Sequence, residues 1–171
     1  MFAGCFSQDD LGRNIFLEVN DAIIFENNRS YILGDTIYVD VKFSRYLDET
    51  NQANKLDIFK SSGSEAFRYD FRLNKFSTLS NDFQRISISP EFIFAEKGTL
   101  DDFNSFRATL NPENDLYESR IGIILGETGI FRLELNFAAF SSDNFSRDNL
   151  FIDIRNRFTQ ENMDFEFVVA E

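Results

Sequence analysis

Oxygen donors crowd two stretches of this sequence. In AAFSSDNFSRDN (138–149), Asp143-Asn144 and Asp148-Asn149 share one short polar segment, and Asp101-Asp102 with Asn104 form a second cluster. Calcium takes carboxylate, amide and backbone carbonyl oxygens as ligands, so both clusters are candidate calcium loops. Neither has the D-x-D-x-D-G spacing of the helix–loop–helix calcium site, and acid-rich turns also serve as Asx turns and solvated tips. Asp143, Asn144, Asp148 and Asn149 are therefore a candidate ligand or calcium loop, without the pattern of a defined metal site.

Other chemistries lack their residues. The chain has no histidine, which removes Ser-His-Asp and Cys-His catalysis, imidazole acid–base work and the usual zinc sites. No G-x-G-x-x-G or P-loop occurs, and the eight glycines are scattered through turns. A paired-carboxylate glycosidase needs two acids roughly 5–9.5 Å apart. With 29 acidic residues some pair meets that distance by chance, and there is no Trp to stack on a sugar ring. The expectation is a protein that is not an enzyme.

Charge and hydropathy narrow the partners. The net charge of -12 repels phosphate backbones, and the arginines are spread singly with no basic patch, so nucleic acid is not an expected partner. No run of 18 apolar residues is present, so no helix is expected to span a bilayer. Phe is used 22 times, and such a chain wants a dry, packed core.

The elements that must position any site alternate with period two. Ile37, Val39, Val41 and Phe43 fall on one face of TIYVDVKF; Phe67, Tyr69, Phe71 and Leu73 share a face of AFRYDFRL. Phe131, Leu133, Leu135 and Phe137 do so in IFRLELNF, as do Phe165, Phe167 and Val169 in DFEFVV, opposite Asp164, Glu166 and Val168. Strict alternation marks strands with one buried and one wet face, hence antiparallel sheets. Weaker strand candidates are 15–19, 22–25, 56–59, 85–88, 92–94 and 119–125. LFIDIRNRF (150–158) suits either a helical face or a strand; it is taken as a strand forming a hairpin with 164–169. Turn residues separate the segments at Gly34-Asp35, Ser61-Ser62-Gly63, Lys97-Gly98, Asn111-Pro112 and Gly126 to Gly129. The expected fold is all-β, an antiparallel β-sandwich of about nine strands. Its longest loops would be 44–55 and 138–149, where binding residues tend to sit.

Two resemblances add to this. The only cysteine stands in MFAGCFSQDD, where Phe2-Ala3-Gly4-Cys5 resembles the lipobox of bacterial lipoprotein precursors. Phe6-Ser7-Gln8-Asp9-Asp10 resembles the acidic signal that follows the lipid cysteine in certain Gram-negative surface lipoproteins. The resemblance implies lipidation at Cys5, an export signal at Asp9 and Asp10, and a lipid-anchored place at the outer membrane, on the cell surface. A basic n-region and an apolar h-region are expected upstream of Met1. A lipidated cysteine carries at least two acyl chains, enough to anchor firmly. From Cys5 to Ile15 the chain reaches at most roughly 35 Å, so residues 1–14 act as a short acidic tether and 15–171 as the domain. The stretch YESRIGIILGETGIFRLEL (117–135) is similar to the E-to-F region of immunoglobulin-like sandwiches. Glu127-Thr128-Gly129 would be the corner and Phe131 the aromatic after it; Phe131 has no hydroxyl for the family's tyrosine-corner bond.

Together these features lead to the expectation of a non-enzymatic surface lipoprotein acting as a protein-binding or structural accessory module. Its partner would be another outer-membrane or extracellular protein. A glycan- or calcium-binding module is the alternative, carried by Tyr, Asn and Asp of 44–55 and 138–149.

Overall fold

The computed structural model describes residues 14–25, 29–50, 52–101, 105–134, 139–143, 150–159 and 165–171. They form seventeen strands, numbered in chain order, with one short α-helix and one 3-10 turn. The larger sheet runs β1 (Asn14–Asn20), β16 (Phe151–Arg157), β15 (Ala139–Ser142), β7 (Ala66–Tyr69) and β12 (Phe106–Asn111). It continues through β13 (Leu116–Ile124), β4 (Thr36–Ser44) and β2 (Ile23–Phe25). Two more strands sit on it: β10 (Ile93–Lys97) beside β13, and β11 (Thr99–Leu100) beside β12. The second sheet runs β3 (Ser30–Ile32), β17 (Glu166–Ala170), β14 (Gly129–Glu134), β8 (Arg72–Ser77), β9 (Asp82–Arg85). A small ladder of β5 (Tyr46–Leu47) and β6 (Leu56–Asp57) leads into α1 (Ile58–Ser62).

The alternation does its work through burial. Ile37, Val39, Val41 and Phe43 are all buried along β4, and Ile152, Ile154 and Asn156 along β16. The inner faces of the two sheets meet at aromatic pairs: Phe71 stacks on Phe106 at 4.3 Å between centroids, and Phe25 lies 6.3 Å from Phe167. Within the larger sheet, Phe43 of β4 reaches Phe140 of β15 at 4.8 Å although β7, β12 and β13 lie between them. The sheet therefore curls into a half-barrel around its own aromatic core, with Phe67 and Tyr117 filling the middle.

Several expectations change. The chain is all-β, but its pairing is mixed: β1 runs parallel to β16 and β3 parallel to β17, so the sheets are not purely antiparallel. Nine strands is an undercount, because β3, β5, β11, β12 and β15 carry short or imperfect alternation. AFRYDFRL keeps its buried phase through Phe67, Tyr69, Phe71 and Leu73, yet it is two strands. The backbone leaves the larger sheet after Tyr69 and enters the second at Arg72, so one amphipathic face is shared between both sheets. Residues 151–157 are a strand, but not a hairpin with the last one: β16 sits between β1 and β15, while β17 lies in the other sheet. In LDIF only Leu56 and Asp57 are extended; Asp57 caps α1 by accepting from the Lys60 amide at 3.0 Å. Of 85–88, only Arg85 belongs to a strand. Part of the expected loop 138–149 is β15, because Phe140 is completely buried. No helix among the described residues is long and apolar enough to cross a membrane.

Candidate functional site

The candidate calcium residues that fall within the described structure converge on one side chain, Arg107 of β12. Register sets Arg107 directly opposite Arg68 of β7, and two like charges facing each other across a ladder repel. Asp143, just past the end of β15, lies between them. Its Oδ2 is 2.6 Å from Arg107 Nε, off the line of that N–H, and its Oδ1 is 3.6 Å from Arg68 Nε. Asp101 approaches Arg107 from the other side, with Oδ2 3.0 Å from Nη2. Asp101 and Asp143, the described carboxylates of the two oxygen-rich stretches, thus face the same guanidinium.

Asp143 is also held through its backbone. Its N–H donates to Ser64 Oγ at 2.9 Å, and that hydroxyl donates to the Ala66 carbonyl at 2.9 Å. The Tyr117 hydroxyl donates to the Ser64 carbonyl at 2.7 Å from inside the half-barrel. Burial pushes the Tyr117 phenol well above the usual tyrosine range, so it remains a donor at all ordinary pH.

Beside this cluster lies a groove of about 550 Å³, lined by Arg107, Asp143, Glu65, Thr99, Thr109, Arg45, Phe59 and Pro112 among others. Arg45 is its most constrained wall. Nε and Nη2 grip Asp57 at 2.8 and 2.6 Å, Nη1 reaches Asp115 at 3.1 Å, and the guanidinium sits 5.0 Å from the Phe59 ring. Hydrogen bonding from Arg45 holds the Asp57 carboxyl below the usual carboxylate range. Hydroxyls, charges of both signs and one half-buried ring can bind a polar ligand by hydrogen bonds and stacking; they make no nucleophile–base pair.

Asn144, Asp148 and Asn149 of the candidate loop lie outside the described residues, as do Asp102 and Asn104. So do Cys5, Asp9 and Asp10. Among the described residues no group of three or more His, Cys, Asp or Glu side chains is placed to hold a metal ion. No family model, curated protein or solved structure matches the chain. Its function must be argued from its own surfaces.

One such surface is invisible to a search for catalytic residues. On the outward face of the second sheet, Val168 of β17 stands opposite Ile130 of β14, whose pairing with β8 runs from Phe131 and Lys75 to Glu134 and Arg72. Phe76 of β8 opposes Phe83 of β9, their rings 5.4 Å apart. Val168 and Ile130 are 45% and 44% exposed, Ile32 on β3 is 58% exposed, and Leu79 at the β8–β9 tip is 97% exposed. A charged row runs alongside: Glu166 pairs Arg132, whose guanidinium lies 3.9 Å from the Phe83 ring, and Arg85 opposes Asn74. The sequence carried a trace of this surface, since Val168 breaks the otherwise polar outer phase of DFEFVV.

Proposed function

We propose that this protein is a non-enzymatic lipoprotein of a bacterial outer membrane, anchored at the cell surface through Cys5, whose β domain binds a folded protein partner. The observation that carries the binding reading is a pair of apolar contacts on the second sheet, Val168–Ile130 and Phe76–Phe83, bordered by the exposed Ile32 and by the Arg132–Glu166 pair. Apolar surface with a charged margin is how protein–protein interfaces are built, with rim charges setting register. The anchor reading is supported by Phe2-Ala3-Gly4-Cys5 and the acidic residues after it. A tether of roughly 35 Å at most would keep the domain near the membrane, which favours a membrane-held or cell-surface partner.

The immunoglobulin-like likeness has one supporting feature: residues 125–128 carry the chain from the larger sheet to the second, and Phe131 is buried just after that corner. A glycan is the second reading, supported by the groove beside Arg107, where Thr99, Thr109, Glu65 and Asp143 offer hydrogen bonds next to Phe59.

A photoreactive residue at position 130 of the anchored protein tests the first reading. The expected result is one discrete protein adduct that Val168→Asp removes. Absence of any adduct, with binding on a glycan array abolished by Thr109→Val, would transfer the function to the groove. Cys5→Ser should move the protein out of the carbonate-washed membrane fraction, and retention there would overturn the anchor.

A further inference from the structure

A second feature lies between the sheets, where the chain returns from β9 to the larger sheet. A half-open pocket of about 150 Å³ lies there, its inner wall apolar and its rim polar. Leu73 and Phe131 of the second sheet and Ile123 and Leu125 at the end of β13 form its floor; none is more than 5% exposed. Its roof is the strap 86–89, in which Ile86 and Ile88 turn inward while Ser87 and Ser89 face solvent. The strap is tied at its ends, by the Ile86 amide to the Leu73 carbonyl at 3.0 Å and the Phe92 amide to the Ser89 carbonyl at 2.9 Å. Glu127 stands at the mouth, its carboxylate 2.5 Å from Lys75 Nζ.

No described side chain fills this space, and Phe92 beside it remains 37% exposed. Gly126 keeps that arrangement open, because a Cβ there would meet the Phe92 ring at 3.0 Å. The inner wall leaves apolar surface in contact with solvent, and covering such surface is favourable. A space of about 150 Å³ is the size that holds a benzene-sized guest. The carboxylate of Glu127 lies at the mouth, where it can meet a hydroxyl or amine on such a guest.

We propose that this cavity is a binding site for one six-membered aromatic ring bearing a single polar substituent. The ring enters between the sheets, and the substituent stays at the mouth with Glu127. Two sources share that chemistry: a free phenol-like molecule, or an aromatic side chain of a bound protein. The site is independent of the outer sheet face, so it stands or falls apart from that reading.

Phenol titrated into the whole chain, followed by methyl NMR, tests it. The expected result is saturable shifts confined to the methyls of Ile86, Ile88, Ile123 and Leu125, weakened at least tenfold by Ile88→Phe, which fills the cavity. Ile86→Phe serves the same purpose from the neighbouring position, and each variant is checked for a native spectrum elsewhere. Ile130→Asp should leave the phenol shifts unchanged. N-acetyl-tyrosinamide binding as tightly as phenol assigns the ring to a protein partner, and its exclusion assigns it to a free small molecule. Absence of saturable shifts in the unaltered chain, equal affinity in a folded filled variant, or 1-naphthol binding as tightly as phenol would overturn the proposal.

Discussion

Phe43 and Phe140 pack with their ring centroids 4.8 Å apart, although three strands separate β4 from β15 in the sheet. In a flat sheet those strands would lie about 19 Å apart. The contact therefore holds the larger sheet in its curl, with Tyr117 stacked on Phe43 at 5.2 Å and Phe67 edge-on to both. Removing a buried Phe ring costs about 3–5 kcal/mol, since the lost transfer energy and the cavity add. Phe140→Ala should fall in that range by urea denaturation, and Phe140→Leu should cost clearly less. An equal, small loss in both variants would mean the curl is held elsewhere.

That contact also marks the limit of what the sequence shows. The alternation in TIYVDVKF predicts that Phe43 is buried, because period-two burial is a local property of one strand. Which ring meets it is not local. Phe140 sits in AAFSSDN, where polar neighbours suggest a loop, and only its partners across the sheet make 139–142 a strand. The parallel pair of β1 and β16 is hidden for the same reason: Asn14 and Phe151 are neighbours by topology alone. At the candidate site, the sequence supplied Asp143 and Asp101 but not Arg107, because a lone Arg opposite another Arg shows only once register is known.

Tyr117→Phe should destabilise the domain by about 1–3 kcal/mol, the cost of leaving a buried acceptor without its donor. The hydroxyl it removes bonds the Ser64 carbonyl at 2.7 Å, deep beside Phe67, and the ring itself fills the same space. Because Ser64 also receives the Asp143 amide, NMR shifts should spread from Ser64 to Asp143. A change confined to position 117 would contradict that relay.

Acid should weaken the α1 end of the domain through Asp57. Its carboxyl titrates below the usual carboxylate range because Arg45 donates to it, with the Lys60 amide adding to the effect. A depressed folded-state pKa means the contribution is complete above the unfolded value and is lost as pH falls through the folded one. The loss therefore belongs below about pH 4, and Asp57→Asn, which keeps an oxygen at the cap, should flatten the stability profile there. Thermal melts between neutral pH and pH 2 measure it; parallel curves for both proteins would remove Asp57 from the account.

Gly98→Ala should be severely destabilising for its position in a surface turn. Gly98 has φ +74, and a Cβ there would stand 2.2 Å from the Arg107 carbonyl, which is backbone and cannot swing aside. The left-handed conformation alone costs a non-glycine residue about 1–3 kcal/mol, and the contact adds to that. The displaced segment carries Arg107, so the groove beside Asp143 should distort too. A melting temperature within a degree or so of the parent would refute the geometry.

Asp143→Asn tests whether that carboxylate is a counter-ion or a calcium ligand. As a counter-ion it separates Arg68 from Arg107, which register places opposite one another. Neutralising it leaves two facing guanidiniums, and the expected cost is about 1 kcal/mol because the cluster is only partly buried. Arg68→Thr introduced into the same chain should then recover much of the loss, since the repulsion goes with it. Salt should shrink the difference between the single variant and its parent, as it does for any partly exposed charge pair. Calcium should leave the parent's melting temperature unchanged, and chelator should do the same, because Arg107 already lies 2.6 Å from the oxygen a cation would need. A calcium-dependent rise in stability that Asp143→Asn abolishes, with no recovery from Arg68→Thr, would instead make Asp143 a ligand. The guanidinium of Arg107 would then have to move away for the ion to enter.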